Sequence, residues 1–296
     1  MTTSILDLAT ERTVLLDGGF GTELIRHGFP QGACPETWNI ENTGAIQAIH
    51  RSYFEAGSDA VTANSFGGSP IKLAAHGLEK RCYEFNKAAA EVANSVKPAG
   101  RFVGGSIGPT GKFLKPQGPF TEPEFEAAFA EQARGLTDGQ ADFFIIETHY
   151  DLREALCALR GARRVSSLPV FVTMTFNRVP RGFFTLMGNS VAVCLQALEK
   201  EGAAAVGSNC TLDSGEMAAL VKEMRSLTSL PLIAQANAGK PSLTEEGRVV
   251  YSQGLEDYVK HVPEMAANGA SFIGGCCGTD PGYIRRMAEL LRKIGT

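Results

Sequence analysis

No apolar run in this chain of 296 residues approaches the roughly 18 residues that a membrane span needs. No basic cluster accompanies its net charge of −4, which excludes an electrostatic footprint for nucleic acid or another polyanion. The N-terminus, Met1-Thr2-Thr3-Ser4-Ile5-Leu6-Asp7, has no basic segment leading into an apolar one, so no signal peptide is read there. No Gly/Pro/Ser-rich linker and no low-complexity tract divides the sequence, and a single domain over 1–296 is expected. Gly18-Gly19-Phe20-Gly21 lacks the G-x-G-x-x-G spacing, which disfavours a dinucleotide site. Seven cysteines, an odd number in so long a chain, argue for reduced thiols and a cytoplasmic setting.

What is present is a rhythm. With 44% hydrophobic residues the chain can bury a large core. Eight short apolar runs recur, each closing on small or polar residues: 13–17, 59–64, 101–106, 142–147, 169–175, 204–210, 231–237 and 270–276. Their unbroken hydrophobicity is that of strands buried on both faces of a parallel sheet. Helical patterns fill the gaps. Thr121 with Glu124 forms a capping box, Asp213 with Glu216 opens another helix, and Asp280-Pro281 starts the last. Strands alternating with helices over this length predict a (β/α)8 barrel, with a doubly wound open sheet as the competing architecture.

Active sites of such barrels lie at the C-terminal ends of the strands. The eight runs end at or near Asp17, Asn64, Ser106, Glu147, Thr175, Cys210, Asn237 and Cys276, polar groups where a core would want aliphatic ones. Cys276 and Cys277 are adjacent, and neighbouring residues of an extended strand point to opposite faces. Both thiols serve one site only where the strand breaks, which the glycines of Gly274-Gly275-Cys276-Cys277-Gly278 permit. A disulfide between neighbours would be strained, whereas a soft metal ion suits both sulfurs. Cys210, ending the sixth run, supplies a third. Three thiolates around zinc leave one tetrahedral position open, as a catalytic zinc requires. A single such cysteine would ordinarily be a buried apolar side chain. Cys34, Cys82, Cys157 and Cys194, in loops or helical patterns, are read that way.

Glu147 and Asp17 would point to the same mouth. Capping a helix or shaping a turn is the plain reading of each, yet two carboxylates there suit a substrate ammonium group. Backbone N–H groups at Gly18-Gly19 are placed to cradle a carboxylate. Ammonium and carboxylate describe an amino acid, and the open zinc position describes a thiol. His149, near the mouth, is expected to be solvated or to stand behind the site rather than to ligate.

Together Asp17-Gly18-Gly19-Phe20-Gly21-Thr22, Asn64-Ser65-Phe66-Gly67, Gly108-Pro109-Thr110, Glu147-Thr148, Asn209-Cys210, Asn237-Ala238-Gly239-Lys240-Pro241 and Gly274-Gly275-Cys276-Cys277-Gly278-Thr279 resemble the homocysteine S-methyltransferase family, from about residue 12 to 293. The resemblance implies a (β/α)8 barrel with zinc on Cys210, Cys276 and Cys277 and the homocysteine sulfur in the open position. It implies Glu147 and Asp17 on the amino group, main-chain amides near Gly18-Gly19 and Ser106 around the carboxylate, and Asn237 approaching the zinc when substrate is absent. Two of these segments, 64–67 and 237–241, look most like the homocysteine-binding domain of cobalamin-dependent methionine synthase. They look less like the branches that use betaine or S-methylmethionine. His149-Tyr150 departs from the phenylalanine-led pair of the family. No corrinoid-ligand motif D-x-H-x-x-G is present. The resemblance therefore implies methylcobalamin as donor, either free or on a separate corrinoid protein. The alternatives are S-methylmethionine, betaine, or methyl transfer involving another thiol.

Overall fold

The structure, a computed structural model, describes residues 4–244 and 249–294. In chain order its strands are β1 (Val14–Leu15), β2 (Ala60–Thr62), β3 (Phe102–Ile107), β4 (Phe143–His149) and β5 (Val170–Met174). There follow β6 (Asn177–Val179), β7 (Gly182–Phe184), β8 (Ala205–Asn209), β9 (Leu232–Ala236), β10 (Pro241–Leu243), β11 (Val249–Tyr251) and β12 (Ala270–Gly275). Each of the eight apolar runs overlaps one strand of a single parallel sheet, in the order β1-β12-β9-β8-β5-β4-β3-β2, with β3 and β4 extending one and two residues beyond their runs. First strand pairs with last through Val14–Phe272 and Leu15–Ile273. An open doubly wound sheet makes no such pairing, so the architecture is the (β/α)8 barrel.

The sheet reads as continuous hydrophobicity because both faces are covered. Alternate residues divide between two cores. Leu16, Phe143, Ile145, Phe171 and Phe272 fill the barrel, while Leu15, Phe144, Ile146, Val172 and Ile273 pack outward against the helices. Inside, the rings of Phe143, Phe171 and Phe272 follow one another at centroid separations of 4.7 and 4.8 Å. Gly104 of β3 makes room for them, since a Cβ there would stand 2.6 Å from the Phe143 ring. The helix Ile5–Glu11, opened by a Ser4/Asp7 capping box, contributes Ile5 to the barrel interior.

The seam between β1 and β2 is closed differently. One backbone bond crosses it, Asp59 N to Leu15 O at 2.7 Å. Side chains do the rest: the Ser58 hydroxyl donates to Leu16 O at 3.3 Å, and two carboxylates complete the joint. Asp59 accepts from Leu15 N at 3.0 Å and is gripped by Arg12 and Arg101. At the other end of the seam, Asp17 accepts from Thr62 N at 2.7 Å and from its hydroxyl at 3.1 Å.

The helix signals work as read. Thr121 and Glu124 cap the helix Glu122–Asp138, Asp213 accepts from Glu216 N to open Ser214–Arg225, and the last helix runs Pro281–Ile294. Cys34, Cys82, Cys157 and Cys194 are buried, and burial pushes the Cys34, Cys157 and Cys194 thiols up to about 12. Cys82, Cys157 and Cys194 pack among apolar groups, and the Cys34 thiol donates to Glu36 Oε2 at 3.1 Å. Among the described residues no helix is long and apolar enough to cross a membrane.

Candidate metal centre and substrate pocket

β8 and β12 each stop one residue short of a cysteine. Cys210 follows β8 with φ +65°, and Thr211 follows with φ +54°. Two successive left-handed residues that are not glycine cost roughly 1–3 kcal/mol each and persist only where surrounding bonds enforce them. Here Cys210 N donates to Gln235 O at 3.1 Å, and the Thr211 hydroxyl donates to Phe176 O at 2.6 Å. At the other strand, Cys276 N donates to Ala236 O and Cys277 N to Asn237 Oδ1 at 3.1 Å. Gly278 then turns with φ +82° beneath Tyr251, whose ring would stand 2.4 Å from a Cβ there. The Thr279 hydroxyl and N–H both donate to Cys276 O, which tightens the turn.

The outcome is that the Sγ atoms of Cys210, Cys276 and Cys277 lie within 4.8 Å of one another. Hydrogen bonds from Cys276 and Cys277 hold the Cys210 thiol far below its ordinary value, and the hydrogen bonds that Cys276 makes with Cys210 and Cys277, together with its burial, push its own thiol well up. Three thiols crowded so that only one ionises readily are a donor set that a soft divalent cation satisfies, since its charge permits all three thiolates at once. Asn237 ties the two turns together, accepting from Cys277 N and bonding the Cys210 sulfur. Among the described residues a second constellation, Glu122, Glu126 and Cys157, is close enough for a metal. Arg160 already sits on both of its carboxylates, at 3.4 and 3.6 Å, and supplies the cation.

Glu147 and Asp17 approach from the other side of the mouth. Burial pushes the Glu147 carboxyl up to about 7 against the hydrogen bond from Ser106, 2.5 Å from hydroxyl to Oε1. Burial likewise raises Asp17 to about 7, opposing the bonds from Thr62, with the Glu147 charge adding to the rise. Two carboxyls poised near neutrality, Asp17 buried and Glu147 half-buried, form a site that wants a cation. Asn209 bridges this pair to the sulfurs, its amide lying 3.4 Å from Glu147 Oε2 and 3.8 Å from Cys276 Sγ.

Three sequence expectations need correction or addition. His149 is not solvated: it is fully buried, with its ring 6.1 Å from Phe129 and Nδ1 3.9 Å from Glu154. Simple alternation would put it on the same face as Glu147. Thr148 adopts φ +64° and the β4–β5 register shifts between Ile146 and His149, so the side chain turns into the helical layer. The Gly19 amide is committed, donating to Thr279 O at 3.2 Å and Oγ1 at 3.1 Å, so it holds the cysteine turn rather than a ligand. Ser106 acts on the site through its hydroxyl on Glu147. Thr62, Asn209 and Tyr251 carry site contacts that the sequence reading gave no role. Of these only Asn209 had a signal, its place beside Cys210.

A (β/α)8 barrel with three thiols and two carboxyls converging at its strand ends defines a class of metal-dependent and thiol-handling sites. The chain belongs to the homocysteine S-methyltransferase family, whose sequence model matches residues 14–291. It is 30% identical over 310 residues to the methionine synthase of Mycobacterium tuberculosis, and 31% identical over 309 residues to that of Mycobacterium leprae. Those alignments take in 99% and 98% of this chain, which spans 26% and 25% of the relatives' length. Its fold is also that of the homocysteine methyltransferase MmuM from Escherichia coli. The oxidised form superposes with a TM-score of 0.80 at 22% identity, covering 96% of this chain and 97% of that one. The metallated form gives 0.79 at the same identity.

Proposed function

We propose that this barrel transfers a methyl group to the sulfur of L-homocysteine, giving methionine, with zinc held by Cys210, Cys276 and Cys277. The observation that carries the reading is the meeting of three sulfurs within 4.8 Å with a carboxyl pair, of which Asn209 joins Glu147 to the sulfurs. When bound, zinc supplies a Lewis acid that keeps a fourth sulfur ligand ionised at neutral pH.

The chain's own residues do the remainder. Glu147 and Asp17 receive the substrate ammonium, and their high carboxyl pKa values fall as that cation arrives. Ser106 holds one oxygen of Glu147 and Thr62 holds Asp17, so the carboxylates cannot swing away from the mouth. This anchoring brings the homocysteine side chain toward the cysteine trio. The reaction forms a sulfur–methyl bond and breaks the bond between methyl and donor, and the thiol proton leaves to solvent. No protein group need exchange a proton with the methyl carbon, so the burial of His149 away from the mouth is no obstacle.

For the donor we propose a methylcorrinoid, free or carried by a separate protein, with S-methylmethionine and betaine as the competing choices. The deciding assay measures methionine from homocysteine with methylcobalamin, methyltetrahydrofolate, S-methylmethionine and betaine side by side. Turnover with methylcobalamin, lost together with bound zinc in Cys210→Ala, is expected. Methionine formation by metal-free Cys210→Ala, or none from the zinc-loaded protein with any donor, ends this reading.

A further inference from the structure

Asn209 is the last residue of β8, fully buried, and its carboxamide touches three parts of the site at once. Its orientation is fixed by chemistry. Thr148 N, which can only donate, lies 2.8 Å from Oδ1, and the Thr173 hydroxyl donates to the same oxygen at 2.9 Å. Nδ2 therefore faces the mouth with two hydrogens. One goes to the Thr148 hydroxyl at 2.7 Å. The other has two acceptors at long range, Glu147 Oε2 at 3.4 Å and Cys276 Sγ at 3.8 Å. Distances of that order describe one hydrogen divided between a carboxylate and a sulfur, with neither bond fully made. The backbone carries a further constraint, since Asn209 O accepts from the Thr175 hydroxyl at 3.2 Å and the next residue is Cys210.

We infer that Asn209 is a positioning residue that couples occupancy of the carboxyl pocket to the metal-binding thiol of Cys276. The inference rests on the homocysteine reading of the site. When an ammonium group takes Glu147 Oε2, the shared hydrogen loses its carboxylate acceptor and turns fully to the sulfur. A donor to a ligand sulfur steadies its geometry and tunes its bond to metal, the kind of outer contact whose loss costs 10–100-fold in metal affinity. Coupling of this sort is reciprocal: metal on the thiols must in turn favour an ammonium group in the pocket.

The test separates the pocket from direct ligation by using L-2-aminobutyrate, which presents the same ammonium and carboxylate but no side-chain atom that can ligate a metal. Cobalt(II) replaces zinc, and its sulfur-to-metal charge-transfer band reports on the three thiolates, Cys276 among them. In the wild-type protein 2-aminobutyrate is expected to shift that band and to tighten zinc several-fold in chelator competition. Asn209→Ala should lose the shift, bind zinc at least tenfold more weakly and show a raised KM for homocysteine, with kcat changed less. Asn209→Asp, which keeps both acceptor bonds and the side-chain volume but has no hydrogen to give, should lose the shift as well. Each variant's melting temperature shows that it is folded. An unchanged 2-aminobutyrate-induced shift in folded Asn209→Ala or Asn209→Asp overturns the coupling. A wild-type protein that binds cobalt but neither 2-aminobutyrate nor homocysteine overturns the homocysteine reading itself.

Discussion

The residues that matter most here are polar groups ending apolar strands, and Glu147 shows what such a position can do. Its carboxyl is half-buried, pushed up to about 7 by desolvation, and braced by Ser106. Glu147→Gln keeps the acceptor for Ser106 and removes the charge. Exchanging a charge-assisted bond to an ammonium for a neutral one costs about 2 kcal/mol, so KM for homocysteine should rise roughly 30-fold. Steady-state kinetics checks this, and zinc content should stay at the wild-type level. Cys210, Cys276, Cys277, Glu147 and Asp17 were legible in the sequence because each breaks the apolar character of its run. The partners of those residues were not. That Thr62 would hold Asp17, or that Asn209 would face both Glu147 and Cys276, depends on the register between strands far apart in the chain.

Elements explain why His149 was misread. Alternation along β4 holds only while the backbone stays extended, and the left-handed Thr148 ends it. Beyond that bulge the buried His149 and Glu154 face each other across 3.9 Å, and Glu154 Oε1 accepts from Thr110 N at 2.8 Å and its hydroxyl at 2.6 Å. The loop after β3 is thereby pinned to the helix Leu152–Val165. Burial pushes Glu154 up to about 7, above the ordinary carboxylate range. A carboxyl raised in the folded state contributes fully at low pH, and its contribution is lost as pH climbs from about 4.5 through about 7. Glu154→Gln retains the acceptor and cannot ionise. Its stability relative to wild type should therefore increase over that window, by at most about 3 kcal/mol. Urea denaturation at pH 5 and pH 8 reads the difference. Buried His149, lowered to about 4, is common to both proteins and cancels in the comparison.

At the scale of the whole molecule the barrel was the most legible feature, since eight doubly buried runs leave little choice of architecture. The closing joint was not, because β1 is only two residues long and most of what seals it to β2 is side chain. Asp59 is the larger part of that seal, buried against Leu15 N and held by two arginines. Asp59→Ala should cost about 1–3 kcal/mol in denaturant unfolding, the range for leaving the buried Leu15 N–H without its acceptor, since the half-exposed arginines regain water. Zinc stoichiometry of the remaining folded protein should be unaltered, for the cysteine turns stand on β8, β9 and β12.

Asp17 has two duties at one address. It fastens the stave that the main chain leaves loose, and in the function proposed above it also receives a positively charged visitor at the entrance. A guest that settles on this carboxyl therefore also cinches the hoop, and an occupied vessel should resist unfolding first along the line where an empty one parts.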